Sequence, residues 1–437
     1  MKYYLAIDIG ASSGRHIVGF MKDGELQLEE VYRFENGQDL VNGELVWDME
    51  RLFKEVKNGI GEAFKRYKCI ESLSIDTWGV DYVLMNGDTP VLPTYAYRDA
   101  RTDASSEAVH KIIPHSELYA RTGTMFNKFN TVYQLYDDKC KGRLEGVTDF
   151  LYVPSYLMYR LTGVKSHEFT DASTSGLVNA RTLEYDSYIT EKLGLPKELF
   201  VPLNQPGESL GRFLPEVVRE VGGDTEVVLC ATHDTGSAVE AIDMQMNAPY
   251  ISSGTWSLLG VKTERPITDE KSRVSAYSNE GGVGYNRYQK NINGMWLVQS
   301  LRREFCPDAS WAAIADEAEA STYMETFDIN DESFTAPLSM AKAISDYITA
   351  RGGEAPREPR DYFNSAYRSL ALGYKKAIED LEFNTGCRYS EIFIVGGGAK
   401  CGYLNRLTEA QTGKKVVALP IEATAIGNLK VQMKREI

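Results

Sequence analysis

Leu5-Ala6-Ile7-Asp8-Ile9-Gly10-Ala11-Ser12-Ser13-Gly14-Arg15 begins as an apolar strand and runs into a loop of glycine and small hydroxylated residues. A carboxylate, Asp8, stands at the end of the strand. Working outward, His16–Phe20 and Leu26–Arg33 read as two further strands joined by short glycine-bearing turns. In 48–67, Leu52, Val56, Ile60 and Phe64 recur at helical spacing, and Ser72–Asp76 reads as a strand again. A β-β-β-α-β order of this kind predicts a mixed sheet with helices packed against it.

The second half repeats the opening in outline. Tyr250-Ile251-Ser252-Ser253-Gly254-Thr255-Trp256-Ser257 is again strand, small-residue loop and second strand, the last over Ser257–Val261. Later, Ile392–Val395 runs into Gly396-Gly397-Gly398 and a helix over 402–412. The period is too long for a solenoid and fits duplication of a whole domain. Asn247-Ala248-Pro249 is the expected boundary, dividing the chain into 1–246 and 247–437. A strand over Val227–Ala231 and a helix over 236–244 are expected just before it.

These three loops share one physical property: their backbone N–H groups lack large covering side chains and can point at an anion. Ser12 and Ser13 add hydroxyl donors, and Arg15 adds a fixed charge suited to phosphate. Gly396–Gly398 is expected where a helix begins, a position that favours negative groups. Each loop taken singly reads first as a plain tight turn; three of them after apolar strands favour a nucleotide. No G-x-x-x-x-G-K-[ST] occurs, and Gly282-Val283-Gly284-Tyr285-Asn286-Arg287 breaks the G-x-G-x-x-G pattern at its last position.

An isolated charge at Asp8 would be costly, so a partner is implied. Either a hydrated Mg²⁺, which takes only one or two carboxylates, or N–H donors of the loop would serve. Asp234, following Val227–Ala231, either caps a helix or accepts a hydroxyl proton in phosphoryl transfer. Asp76-Thr77-Trp78-Gly79-Val80-Asp81, with Arg98-Asp99-Ala100-Arg101, suits a sugar's hydroxyls and apolar face; it reads equally as a hairpin with a buried Trp and a structural Arg–Asp pair. His16, His110, His115 and His167 read as structural or surface residues, and no zinc pattern is present.

At 437 residues with 43% apolar and 25% charged residues, the chain can bury cores of two large domains. A formal charge of −14 argues against a nucleic-acid partner. No secretory leader and no membrane-spanning run is evident, and the six scattered cysteines fit a reducing compartment, so a cytoplasmic protein is expected.

The motifs Asp8–Arg15, Ile75–Asp81, Tyr97–Arg101, His233-Asp234-Thr235, Ser252–Ser257 and Val395–Gly398, in this order from about Leu5 to Gly427, resemble the FGGY carbohydrate kinases. Within that family they are most similar to the branch acting on L-rhamnulose. The resemblance implies two actin-like (ribonuclease H-like) α/β ATPase domains, an active site in the cleft between them, and MgATP-dependent phosphorylation of L-rhamnulose at its 1-hydroxyl. It implies that Ala11, Ser12, Ser13, Gly14 and Arg15 hold ATP phosphates, with Mg²⁺ near Asp8, and that Asp234 is the catalytic base. Sugar contacts carry over to Gly79, His233, Asp234, Thr235 and Asn291, with Asp81 beside them. Nucleotide contacts carry over to Thr255, Gln299 and Gly397. The residues around Asn291 themselves read as the entrance to an amphipathic helix.

The resemblance also implies further residues beyond Ile437. Lys430 and Lys434-Arg435-Glu436 fit poorly on a helix that packs inside, so a truncated or frameshifted C-terminus is expected. Competing readings are a kinase of fuculose, xylulose or glycerol, a non-enzymatic actin-like ATPase, and an inactive sugar-binding protein. A small-molecule sugar is the expected partner of a monomer or small homo-oligomer, with no nucleic acid and no membrane.

Overall fold

The computed structural model describes residues 1–246, 248–419 and 422–434. By its contacts the chain divides into two units: Met1–Asp243 with Glu264–Arg287 and Ala423–Ile437, and Met244–Thr263 with Tyr288–Glu422. The expected boundary at Asn247-Ala248-Pro249 begins on a residue outside those described.

In the first unit, strands β1 (Tyr4–Ile9), β2 (Ser13–Lys22), β3 (Glu25–Glu35), β4 (Ser72–Thr77), β5 (Ser209–Arg212) and β6 (Glu226–Val228) form one sheet in the order β5-β6-β4-β1-β2-β3. β1 pairs antiparallel with β2 and parallel with β4. Both β1 and β4 are buried along their whole length, as central strands covered on two faces are.

Helix α1 (Met49–Arg66) starts where Asp48 accepts a hydrogen bond from Arg51 N–H. It buries Leu52, Val56 and Ile60 at helical spacing, whereas Phe64 is only partly covered. Gly59 is required here: a Cβ would stand 2.4 Å from the His16 ring. His16 is wholly buried and bonded to the Val56 carbonyl at 3.1 Å. Burial lowers its pKa to about 4, so at neutral pH the ring is uncharged and structural.

The expected strand Val227–Ala231 is shorter, because its continuation leaves the ladder. Cys230 N–H donates instead to Ser74 Oγ, and Thr77 N–H donates to the Thr232 carbonyl. Helix α2 (Asp234–Glu240) therefore begins two residues earlier than expected and ends four residues sooner.

In the second unit, β7 (Tyr250–Ser253), β8 (Trp256–Thr263), β9 (Asn286–Asn293, whose first two residues belong to the first unit), β10 (Glu391–Val395) and β11 (Lys415–Leu419) run in the order β9-β8-β7-β10-β11. Here β7 pairs antiparallel with β8 and parallel with β10. A central strand with a hairpin partner on one side and a parallel strand on the other is the arrangement of β1, β2 and β4. The repeat read in the sequence is thus a repeat of topology.

Asn291 lies on β9, not at the entrance of a helix. Helix α3 (Trp296–Phe305) starts only after Gly294-Met295. Helix α4 (Pro359–Thr385) is the longest, opened by a capping box between Glu358 and Asp361. Gly397–Lys400 forms a 3₁₀ turn rather than the start of an α-helix, which follows as α5 (Gly402–Thr412).

Helix α6 (Ala423–Lys434) belongs to the first unit, and its presumed misfits have partners there. Lys430 Nζ donates to the Ala241 carbonyl and to Asp243, each at 2.8 Å. Lys434 pairs with Glu240. Arg435 and Glu436 lie outside the described residues. α6 crosses α2 at Gly427, where a Cβ would fall 1.7 Å from the Ser237 carbonyl oxygen.

Candidate active site

Pleating and register bring carboxylates together at the C-terminal ends of β1 and β4. Asp8 stands opposite Asp76 on the parallel neighbour and opposite Arg15 across the hairpin. Arg15 Nε and Nη2 both donate to Asp8 Oδ2, at 2.9 and 2.8 Å. The partner demanded by Asp8 is therefore at least this guanidinium. Asp76 is wholly buried and accepts from Asn428 Nδ2 at 2.6 Å. Burial, then the charge of Asp8, push its pKa well above the carboxylate range; the Asn428 bond opposes them.

Asp234 is the first residue of α2, so His233 rather than Asp234 occupies the N-cap position. Its carboxylate, one-third exposed, accepts at Oδ1 from Thr235 N–H (2.5 Å) and Thr235 Oγ1 (3.1 Å). Its pKa is raised to about 7, first by burial and next by Asp8, against the Thr235 bonds and Arg287. A carboxyl half ionised near neutrality can take a proton and release it again.

The loop between β1 and β2 is a tight turn, with Gly10 N–H donating to the Ser13 carbonyl at 2.9 Å. Asn36 ties back its carbonyls: Nδ2 donates to Gly10 and the backbone N–H to Ser12. Gly14 has a packing reason as well, since a Cβ would lie 2.2 Å from the Phe34 ring.

Asp81 is fully buried and accepts four hydrogen bonds, from Trp47 Nε1, Trp78 Nε1 and Tyr97 N–H at Oδ2 and from Gln134 at Oδ1. Burial raises its pKa to about 6 despite those donors. Both oxygens therefore hold protein, and the two indoles it orients lie against each other with centroids 4.1 Å apart, tilted by 32°. Val80, just before it, has φ +71°, which a β-branched residue adopts only under constraint. Thr131 and Gln134 supply the constraint by donating to its carbonyl. Gly79 sits against Thr174 and Asp171, the latter wholly buried with its pKa driven up by burial and by Glu168. Arg101 forms a buried pair with Asp137 and Asp138, while Arg98 donates to the Tyr97 hydroxyl.

Within the second unit, Gly254 N–H donates to the Trp256 carbonyl, closing the β7–β8 loop. Thr255 Oγ1 donates to Gln299 Oε1 at 3.4 Å, which brings two expected nucleotide residues side by side. Gly396 (φ +83°) and Gly398 back onto Ser253, whereas Gly397 has open space where a Cβ would be. Asn291 Oδ1 is buried without a hydrogen-bond partner.

Sequence reasoning missed the groups that support this geometry. Glu168 accepts from Thr232 Oγ1 at 2.5 Å and so fixes the residue ahead of His233-Asp234. Arg287, weighed only as the residue that spoils a glycine motif, lies wholly buried against His233. Asn428 is 352 residues from the Asp76 it serves. Only contacts between distant segments reveal these roles.

No three His, Cys, Asp or Glu among the described residues close on a point that could hold a metal by themselves. Asp8, at the end of β1 beside the small-residue loop, is a single carboxylate of the kind that suits an ion bound mainly through water and phosphate, whereas Asp76 is wholly buried. No helix among the described residues is long and apolar enough to cross a membrane. All six cysteines are free thiols.

The family model for the N-terminal domain of the FGGY family of carbohydrate kinases matches residues 3–239, and that for the C-terminal domain matches 249–435. The chain is similar to the rhamnulokinase of Oceanobacillus iheyensis, 42% identical over 433 residues covering 98% of this chain and 92% of that protein. It is 37% identical to the rhamnulokinase of Bacillus subtilis over 436 residues, 98% and 90% of the two chains. Among solved structures, a ligand-bound xylulose kinase from Lactobacillus acidophilus superposes with TM-score 0.81 at 16% identity, over 100% of this chain and 90% of that one. The Plasmodium falciparum glycerol kinase with ADP gives 0.77 at 14%, over 100% and 90%. At such identities the structural likeness speaks to the fold alone.

Proposed function

This chain belongs to the FGGY family of carbohydrate kinases, and on that premise we propose that it transfers the γ-phosphoryl group of ATP to the 1-hydroxyl of L-rhamnulose. The choice of sugar is supported by full-length relatives named rhamnulokinase at 37–42% identity. The observation that carries the chemistry is Asp234: a partly exposed carboxylate on the first turn of α2, its pKa raised to about 7 by burial and by the charge of Asp8. It takes the proton of the 1-hydroxyl as that oxygen attacks the γ-phosphorus in line, and ADP leaves.

In this reading the Ala11–Arg15 loop, with the Ser12 and Ser13 hydroxyls, grips the phosphates, and Arg15 is oriented by Asp8. Thr255, Gln299 and Gly397 receive the nucleotide; the space at Gly397 and the Thr255–Gln299 bond support that. Gly79, His233, Thr235 and Asn291 meet the sugar, and the unpartnered Asn291 Oδ1 awaits a hydroxyl. Asp81 contributes by holding Trp78 in place. Asp8 would hold the Mg²⁺ that accompanies ATP, and that ion supplies neutralisation of phosphate charge. The sugar and phosphate groups belong mainly to 1–246, and the nucleotide groups to 247–437.

ADP release measured with L-rhamnulose, L-fuculose, D-xylulose and glycerol tests the substrate. A kcat/KM for L-rhamnulose at least about tenfold above the others is expected. Equal or better turnover of another sugar would overturn the assignment.

A further inference from the structure

Arg287, the second residue of β9, has a guanidinium wholly removed from solvent. Its Nε donates to the Gly281 carbonyl at 2.7 Å, which fixes its plane. Its Nη2 lies 3.3 Å from Glu280 Oε2 and 3.2 Å from Nδ1 of His233. The guanidinium passes against the first turn of α2, where the residue facing it is Gly236; a Cβ there would stand 3.6 Å from Arg287 Cζ. On the other side of the imidazole, Nε2 of His233 stands 3.5 Å from Asp234 Oδ1.

We propose that Arg287 is a positioning residue for phosphoryl transfer: by donating to His233 Nδ1 it fixes the imidazole proton on Nε2, the nitrogen that faces Asp234. The inference rests on the reading of Asp234 as the base. A guanidinium has donors and no acceptor, so an imidazole nitrogen bonded to it must offer a lone pair. Glu280 Oε2, 3.5 Å from the same Nδ1, would draw the proton the other way, but Arg287 stands closer and neutralises that carboxylate. Burial first, then Arg287, hold the His233 pKa well below its ordinary value, so the ring carries a single proton to be placed.

The placement matters at the reacting centre. With the proton on Nε2, His233 presents a donor on the Oδ1 side of Asp234, the side Thr235 already occupies, and Oδ2 is left to accept from the sugar hydroxyl. With it on Nδ1, a lone pair would face the carboxylate, and a sugar oxygen would lose its donor.

Imidazole ¹⁵N NMR of the full chain tests this, with the His233 signal among five histidines assigned by its loss in His233→Asn. The wild type is expected to show a protonated Nε2 and a bare Nδ1. Arg287→Met should move the proton to Nδ1 and lower sugar kcat/KM at least about tenfold with KM for ATP unchanged. Arg287→Lys, still a pure donor, should keep the wild-type tautomer. A wild-type proton on Nδ1, or an unchanged tautomer in Arg287→Met, overturns the proposal. Should Arg287→Met fail to fold, the wild-type spectrum decides alone. Full turnover in Asp234→Asn would instead remove the base assignment and leave the tautomer result standing, so the two failures are distinguishable.

Discussion

Asn428 of α6 donates a 2.6 Å hydrogen bond to Oδ2 of Asp76, at the end of β4, in the wholly buried centre of the first unit. The same amide side chain accepts from Gln432, which in turn receives Ser72 and donates to the Leu5 carbonyl. The last described helix thus bonds to the strands that carry Asp8 and Asp76, while Oδ1 of Asp76 stays buried without a hydrogen-bond partner.

Replacing Asn428 by alanine removes a donor from a buried carboxyl and should cost about 1–3 kcal/mol, read as a lower urea midpoint. Asp76→Asn should behave differently with pH. The folded-state pKa of Asp76 is raised, so the stability it contributes is full below the ordinary carboxylate range and is lost as pH rises through the raised value. Asp76→Asn has no such loss, and its urea midpoint relative to wild type should climb with pH.

The pH dependence of kcat/KM should show an acidic limb near the Asp234 value of about 7. Below it the base is protonated, and the rate falls about tenfold per unit. The Thr235 hydroxyl bond stabilises the charged carboxylate, so Thr235→Val should move the limb to higher pH. A limb at the ordinary carboxylate range would contradict the assignment.

Two neighbouring glycines separate binding from packing. Gly398→Ala would place a Cβ 2.0 Å from Ser253 Oγ and should lower the melting temperature. Gly397→Ala meets no atom within 4 Å, so its melting temperature should match wild type. If ATP lies there, its KM for ATP should rise about tenfold or more, a change that titration calorimetry with nucleotide would also register.

Much of this arrangement was legible in the chain. Leu5–Ile9 announces a buried strand through its apolar run, broken only by Asp8, and the glycine-serine loop after it reads as a turn. The topological repeat follows from the second occurrence of that pattern. Local ambiguity hides the rest: 286–293 carries too mixed a pattern to betray β9, so Asn291 looks continuous with the helix that starts at Trp296. Lys430 and Lys434 looked wrong for a packed helix because Asp243 and Glu240, their partners, lie far away in sequence. Asp81 has the composition of a sugar contact, yet its oxygens are taken by Trp47, Trp78, Tyr97 and Gln134. Local patterns encode strands and turns, while the pairing of charges depends on the folded chain.

Asp234→Asn is the most direct test of the proposed chemistry. Measured by ADP release with L-rhamnulose, the variant should lose at least about a hundredfold in kcat while binding sugar and ATP as the wild type does. Turnover near the wild-type rate would contradict the account.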